Sequence, residues 1–260
     1  MSTWTFARAL FATNLRAALA LRGAFAIQAL FMLINNLTFF IVWWVLLRRV
    51  PDLRGWRLDD IEVLFGITAT SFGLVVAVAG GVRHLGRAIE EGELDTLLTQ
   101  PKPTLLYALG MRSNASGVGD MVSGVLFLVM SGHLTLTSAP LLVVLILASA
   151  ATFLGCGIVF HSLPFWLSRT ETVSRQLWEL TITFAIYPEP LFGGALRLLL
   201  FTAIPAGFVA YLPARMLRDP SPVTLAASVG AALAYVAIAV WVFDRGVRRY
   251  TSGSRFVAFG

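Results

Sequence analysis

The sequence contains five apolar stretches of about twenty residues, each with no more than one Asp, Glu, Lys or Arg. They cover residues 25–47, 61–82, 117–136, 141–164 and 223–243. An α-helix rises about 1.5 Å per residue, so a stretch of this length crosses the roughly 30 Å hydrocarbon core of a bilayer. This pattern predicts an all-α, polytopic membrane protein in which residues 1–260 form a single transmembrane domain.

The composition argues against a soluble protein and against a nucleic-acid-binding one. Hydrophobic residues make up 57% of the chain and charged residues 13%, a balance that departs from soluble averages. The 20 Lys and Arg residues exceed the 14 Asp and Glu residues, but they are scattered between apolar stretches and form no basic stripe with interleaved aromatic residues. We therefore predict the lipid bilayer as a partner and no nucleic acid.

The segment 83–103, RHLGRAIEEGELDTLLTQPKP, is polar and separates the second and third apolar stretches. Leu94, Leu97 and Leu98 are spaced i, i+3 and i+4, and acidic residues precede them, which predicts a short amphipathic helix. We expect this helix to be a cytoplasmic element on which another protein docks. The predicted docking residues are Glu90, Glu91, Glu93, Leu94, Asp95, Leu97 and Leu98.

Two further segments need an interpretation other than a simple span. Residues 1–23 mix apolar and polar side chains, which predicts a helix in the membrane interface. Of the later pieces, 172–187 is short for a span and 191–212 is interrupted by Pro205, so either is a candidate fifth span. We favour a fifth span over 172–187 and re-entrant helices within 188–212, which makes six transmembrane helices in all.

Small residues recur every four positions in two of the apolar stretches. Such a stripe lets another helix approach closely. The two stripes are Ala69, Gly73, Ala77 and Gly81 in the second stretch, and Ala226, Gly230 and Ala234 in the last.

The distribution of cations predicts the orientation in the membrane. With six spans and both termini cytoplasmic, the cytoplasmic segments hold 13 of the 20 Lys and Arg residues and the outer loops hold 7. This excess favours that orientation under the positive-inside rule, although four arginines between residues 48 and 57 fall on the outer side.

Motifs for nucleotide hydrolysis and for common enzyme chemistry are missing from the sequence. A phosphate-binding loop GxxxxGK[ST] needs a lysine before Ser or Thr, but the single lysine, Lys102, precedes Pro103. The three histidines are far apart in sequence and have no metal-site spacing around them. We expect no catalytic residue, cofactor or metal in this chain, and an energy source in a partner.

Ionisable side chains within or near spans are costly in lipid and tend to face a protein interior or a water-filled cavity. We predict that such groups line a pathway or form an outer gate, with structural ion pairing as the alternative. The candidates are Asp120, Glu179, Tyr187, Glu189 and Arg197.

Five motifs spread over most of the chain point to a known family. They are IEEGELDTLLTQP at 89–101, PFW at 164–166, YPEPLF at 187–192, IPAGFVAYLPARML at 204–217 and RGVRRYTSGS at 245–254. With these motifs the chain resembles the permease subunits of bacterial type 2 ABC exporters, in the branch with a GELD-like cytoplasmic motif. Thr99 and Gln100 depart from the more basic pair that is usual before the proline.

The resemblance implies six spans, an interfacial amino-terminal helix, a coupling helix between spans two and three, and re-entrant helices between spans five and six. By position, 90–98 corresponds to the coupling helix and 187–211 to the outer gate.

The resemblance also implies partners and a location. Two permease subunits, alike or unlike paralogues, would assemble with two ABC ATPase subunits that bind ATP and Mg²⁺ in the bacterial inner membrane. ATP hydrolysis there would drive export by alternating access. The resemblance does not carry a substrate over, but the apolar walls of the spans favour a lipid-like or amphipathic one. The rival interpretation is a membrane scaffold that uses 90–98 only as a docking site.

Overall fold

The computed structural model describes residues 5–6, 8–10, 12–13, 22–112, 114 and 116–251. Within this part of the chain the structure is helical, and its only strand-like pairing is an isolated bridge between Leu53 and Trp56. The α-helices are, in chain order, α1 (Arg22–Arg49), α2 (Leu58–Ala79), α3 (Val82–Glu90), α4 (Leu94–Leu98), α5 (Thr104–Gly110), α6 (Ser116–Met130), α7 (Ala139–His161), α8 (Glu171–Ala185), α9 (Gly194–Leu200), α10 (Leu212–Arg218) and α11 (Pro222–Arg249).

Four helices are long and apolar enough to cross a membrane, namely α1, α2, α7 with the short turn that follows it, and α11. The prediction of an all-α, polytopic membrane protein is confirmed at this level. Two further helices, α6 and α8, have 15 residues each, or about 22 Å at the usual helical rise. Among its described residues the structure thus has four full-length candidate spans and two helices of 15 residues, besides several helices of nine residues or fewer.

Helix α2 shows how local sequence sets a helix start. The backbone N–H of Arg57 donates to Asp60 Oδ2 at 2.9 Å, so the chain just before the helix is held by a side chain of its first turn. Asp59 and Asp60 both lie in that turn, where negative charge suits the positive end of the helix dipole.

The third apolar stretch ends earlier than predicted. Helix α6 stops at Met130, whereas the hydropathy pattern continued to residue 136. Gly132 adopts a φ of +72°, a left-handed conformation that glycine tolerates and that breaks a helix. Residues 131–138 therefore form a turn and not the last turns of a span.

Residues 186–218 form a series of short helical pieces. A 3₁₀ turn covers Glu189–Leu191, and helix α9 follows. A π-helical turn over Gly207–Tyr211 then leads into α10. Residues 191–212 are therefore not one straight helix.

The predicted interfacial helix over 1–23 is only partly described. Residues 5–6, 8–10 and 12–13 are helical, and 22–23 already belong to α1. The other residues of this prediction lie outside the described part of the chain.

Helix α2 is the central helix of the packing. The most apolar 18 residues of α2 are 83% buried in the bundle, whereas those of α1 and of α11 are 17% buried. Helix α2 packs against α6 and α7, while α1 packs on α6 and α11 packs on α7. The exposed faces of the two peripheral helices are apolar, as lipid contact requires.

The bundle has two ends, which we call the segment end and the loop end. The segment end contains residues 80–112, 162–171 and 245–250, and there Phe165 packs edge-on against Tyr250 at 6.0 Å. The loop end contains residues 50–57, 131–138, 186–197 and 215–221, and there Arg218 Nη1 donates to the carbonyl oxygen of Gly55 at 2.8 Å.

Candidate functional site

The predicted docking segment forms two helices. Helix α3 ends at Glu90, and α4 covers Leu94–Leu98. Between them Gly92 has a φ of +75°, the conformation in which glycine commonly ends a helix. The expected continuous helix over 90–98 is therefore interrupted at this glycine.

Two of the three predicted docking leucines lie in the core. Leu94 is 0% exposed and Leu97 is 6% exposed, whereas Leu98 is 39% exposed. The burial follows from the break at Gly92, after which α4 packs against α5. Only Leu98 therefore offers an apolar contact to a partner, and the two buried leucines fasten α4 to the chain's own core.

Glu90 connects the docking segment to α8. Its Oε1 accepts the backbone N–H of Thr170 at 2.6 Å and that of Glu171 at 3.0 Å. The first amides of a helix have no intrahelical acceptor, so this distant carboxylate satisfies the start of α8. A residue predicted to meet a partner thus also bridges α3 and α8.

The other acidic residues of the segment also contact this chain. Arg87 Nε donates to Glu91 Oε1 at 2.9 Å, and Glu93 lies 3.9 Å from Arg112. Asp95 is half-buried in the first turn of α4. These pairs are solvent-exposed and contribute little to stability, so the carboxylates stay accessible to a partner.

Arg83 carries a half-buried cation at the junction of the segment and the bundle. Its guanidinium lies 5.4 Å from the ring centres of both Phe72 and Trp178, within cation–π range. Burial lowers the pKa of Arg83, while the nearby carboxylates of Asp120 and Glu179 act in the opposite direction. Two ionisable residues that sequence analysis singled out, Asp120 and Glu179, thus act electrostatically on Arg83.

Asp120 lies on the buried side of α6, inside the bundle. It is 1% exposed, and its Oδ1 accepts a hydrogen bond from Asn36 Nδ2 at 2.8 Å. The same amide nitrogen lies 2.7 Å from Ser123 Oγ. This partly buried polar contact joins α1 to α6.

Glu189 is a buried carboxylate at the centre of an ion-pair cluster at the loop end. It is 4% exposed, and its two carboxylate oxygens lie 2.7 Å from Arg197 and 2.6 Å from Arg215. We call Glu189, Arg197 and Arg215 the arginine clasp. The clasp joins the 3₁₀ turn, α9 and α10.

Two more arginines fasten the neighbouring loop to the clasp region. Arg54 Nη1 donates to the carbonyl oxygen of Pro190 at 2.9 Å. Arg218, besides its bond to Gly55, lies 3.4 Å from Asp60 Oδ2. The loop between α1 and α2 is therefore bonded to the residues around α9 and α10.

Tyr187 and Tyr211 complete the loop end. Tyr187 is 41% exposed and its ring meets the edge of Trp43 at 5.5 Å. The hydroxyl of the buried Tyr211 donates to the carbonyl oxygen of Phe184 at 2.6 Å. The short helices after α8 are thus bonded back to the end of α8.

Glu179 lies on the exposed face of α8, away from the clasp. This face is polar although the helix is flanked by apolar spans. Its exposed polar residues are Thr172, Arg175, Gln176, Glu179 and Thr183.

The predicted gate and pathway residues therefore fall into three places. Glu189 and Arg197 meet as an ion pair with Tyr187 nearby in sequence, whereas Asp120 and Glu179 lie on different helices. Arg215 was missed, because its partner lies 26 residues away and only the bend between α9 and α10 brings the two together. Asn36 was missed as well. Its only signal in the sequence is that it is a polar residue inside an apolar stretch.

A family model described as ABC-2 family transporter protein matches residues 33–254. No curated protein and no solved structure matches the chain.

Proposed function

The chain belongs to the ABC-2 family of transporter proteins, and on this premise we propose that it exports a substrate by alternating access, driven by ATP hydrolysis in a separate subunit. It is the permease component, a multi-pass membrane protein that works with an ABC ATPase. In the proposed cycle two ATPase subunits bind ATP and Mg²⁺, close on each other and move the segment that docks on them. The GELD-like branch and the bacterial inner membrane belong to this proposal.

The anchoring of α4 carries the proposal. Leu94 and Leu97 fasten α4 to the core, and Glu90 bonds the end of α3 to the start of α8. A force on the exposed side of α4 would therefore reach α8 through packed side chains and hydrogen bonds. This arrangement suits a coupling element between an ATPase and the spans.

We further propose six spans, with α6 and α8 as the two short ones and α9 and α10 as a re-entrant pair. Broken backbone at membrane depth must be covered by protein or water. The burial of Leu200, Ile204 and Tyr211 supports such cover. The cation count of 13 to 7 supports a cytoplasmic segment end and cytoplasmic termini.

The polar face of α8 supports a second permease subunit. Exposed polar side chains on a span are costly against lipid tails, so we infer that a like subunit or an unlike paralogue faces Glu179 and encloses a pathway. Val173 and Leu180 lie exposed on the same helix. A face that combines charged, amide and aliphatic groups suits an amphipathic or lipid-like substrate, with Tyr187 and the clasp at the outer mouth.

Leu98→Asp tests the docking proposal. Leu98 is exposed, so a charge there spares the core, whereas loss of a buried apolar contact with a partner costs about 1.5–3 kcal/mol. We expect at least about tenfold weaker ATPase binding, since about 1.4 kcal/mol corresponds to a factor of ten. Binding to the purified ATPase and stimulated ATP turnover are the measurements.

Leu136→Asp is the matched control, because Leu136 is 96% exposed at the loop end and should leave ATPase binding unchanged. Normal ATPase binding and turnover with Leu98→Asp would refute docking through α4. ATPase binding without ATP-dependent transport would favour the scaffold interpretation.

A further inference from the structure

A groove lies between α5 and the last turns of α11, at the segment end. Its volume is about 390 Å³. The apolar side chains that line it include Leu105, Leu106 and Leu109 from α5, and Val240, Phe243 and Val247 from α11. Protein interiors leave few voids, and binding sites commonly have volumes of roughly 300–1,000 Å³. The groove is therefore large enough to take up apolar side chains from another segment.

The groove lies at the level where α11 leaves the hydrocarbon. Trp241 is 60% exposed, and the Arg245 guanidinium lies 5.5 Å from its ring centre, a combination typical of the boundary between lipid and water. Val240 and Val247 are within about two helical turns of Trp241. Headgroups and water reach this level, so an occupant with both apolar and polar groups suits the groove better than an acyl chain.

Asp244 adds a negative charge to this groove. Among the described residues that line the groove, it is the charged one, and it takes part in none of the ion pairs between described residues. A carboxylate without a nearby cation is costly beside lipid tails. Charge complementarity therefore favours an occupant that carries a cation.

The chain carries a segment of this character directly after α11. Residues 252–260 have the sequence SGSRFVAFG and lie outside the described part of the chain. Arg255 is their one charged residue, and Phe256, Val257 and Phe259 follow it. Aromatic side chains bury large apolar areas. The segment thus offers one cation and three apolar side chains to a groove that has one carboxylate and apolar walls.

The distances allow this segment to fold back onto the groove. Asp244 lies seven residues before Thr251, or about 10 Å along a helix. The four residues from Thr251 to Arg255 span up to about 14 Å when extended. Gly253, between two serines, favours the necessary turn. With Arg255 at Asp244, the apolar residues after Arg255 reach the part of the groove lined by Val240.

We propose that residues 252–260, which we call the strap, dock in the groove between α5 and α11, with Arg255 paired to Asp244. The apolar side chains supply the binding, and the charge pair fixes the register. Helix α5 also packs against α4, so the strap fastens the helices around the docking segment to the last span. This inference does not rest on the proposed function.

Disulfide trapping in the full chain, in lipid nanodiscs and with Cys156 replaced by Ser, tests the strap. We expect Leu106→Cys in the groove to cross-link to Val257→Cys within one chain, read by mass spectrometry of the peptides. Ile238→Cys is the matched control, because it is 48% exposed and lies two residues before Val240, on the opposite side of α11. Equal cross-linking of Val257→Cys to both positions, or none to Leu106→Cys, would overturn the proposal.

Exchange of the two charges tests the register. In the Leu106→Cys, Val257→Cys chain, Asp244→Arg should lower the yield of the cross-link several-fold, and Arg255→Asp added to it should restore the yield. An unchanged yield with Asp244→Arg, or no recovery in the double exchange, would refute the pairing. If Asp244→Arg fails to fold, the comparison of Leu106→Cys with Ile238→Cys still decides.

The same samples distinguish the strap from other occupants. A cross-link that joins two copies of the chain, seen as a dimer on a denaturing gel, would assign the groove to a second copy and overturn the proposal. Photoreactive phosphatidylglycerol with its reactive group in the acyl chain tests lipid. We expect it to label the peptide that contains Leu106 more strongly after deletion of residues 252–260. Equal labelling with and without the strap would mean that lipid fills the groove.

Discussion

Glu189 has its two carboxylate oxygens facing two different arginines while it is almost completely buried. Removing one partner of a buried ion pair is costly, because the remaining charge loses its compensation. The two arginines differ, since Arg215 donates a hydrogen bond at 2.6 Å and its side chain is 40% exposed, against 54% for Arg197. The clasp therefore depends more on Arg215.

We predict that Arg215→Met lowers the stability of the detergent-solubilised chain by about 2 kcal/mol, the usual cost of losing a hydrogen bond to a charged group. Arg197→Met should cost less, because solvent weakens its pair. Thermal unfolding of the three proteins gives the comparison. Arg249→Met, which alters an exposed cation at the segment end, serves as the control, and an equal loss in that variant would contradict a specific role for the clasp.

At the same scale, sequence reasoning found Glu189 and Arg197 but not Arg215. Glu189 lies between Pro188 and Pro190, and Arg197 is a cation inside an apolar piece, which marked both as unusual. Arg215 follows a buried turn, and its position resembles that of any arginine near the end of a span. The pairing depends on the fold of residues 191–212, which no local pattern specifies.

At the scale of helices, the small-residue stripe of α2 is a true contact surface. A Cβ on Gly73 would lie 2.7 Å from Asp120 Cβ and 2.8 Å from Met121 N, so α2 and α6 approach as closely as glycine permits. The stripe of α11 differs, since a Cβ on Gly230 meets nothing within 4 Å. The same four-residue spacing therefore marks packing in one helix and an open face in the other.

Gly73→Ala should destabilise the chain by about 1–3 kcal/mol, because overpacking forces two helices apart. Gly230→Ala should be neutral or stabilising by up to about 1 kcal/mol, the gain in helix propensity. Thermal unfolding of both variants in the same detergent distinguishes them. Similar effects of the two substitutions would mean that α2 and α6 are not in close contact through Gly73.

Helix positions were predicted well where hydropathy alone decides them. Residues 61–82 correspond to α2 and residues 141–164 to α7, because burial or lipid contact on all sides needs a continuous apolar helix. The predictions failed at Gly92 and Gly132, where a left-handed glycine ends a helix inside a pattern that looked continuous. The burial of Leu94 and Leu97 is a tertiary effect of the first of these breaks.

At the scale of the whole molecule, the orientation in the membrane is open to a direct test. In a chain with the buried Cys156 replaced by Ser, Thr99→Cys should resist an impermeant thiol reagent in intact cells, because it lies at the segment end. Leu136→Cys, which is exposed at the loop end, should react. Rapid labelling of Thr99→Cys with protection of Leu136→Cys would reverse the proposed orientation.

The structure also explains why the charge count of 13 to 7 was only a moderate signal. A count from sequence treats every arginine as a free cation. Arg54 and Arg218 are bonded to backbone carbonyl oxygens, and Arg197 and Arg215 share Glu189. These four arginines hold the loop end together through hydrogen bonds and ion pairs. Their position there therefore follows from folding and not from the positive-inside rule.

The bond between Asn36 and Asp120 has a consequence for how the protein is made. The two residues are 84 positions apart, and a ribosome adds about 5–20 residues per second, so the Asn36 amide is synthesised on the order of ten seconds before its acceptor. During that interval α6 has not yet been made. The Asn36 amide then lies in a nascent α1 that has begun to enter the bilayer. The Asn36 amide therefore enters the bilayer before Asp120 is available to accept its hydrogen bond.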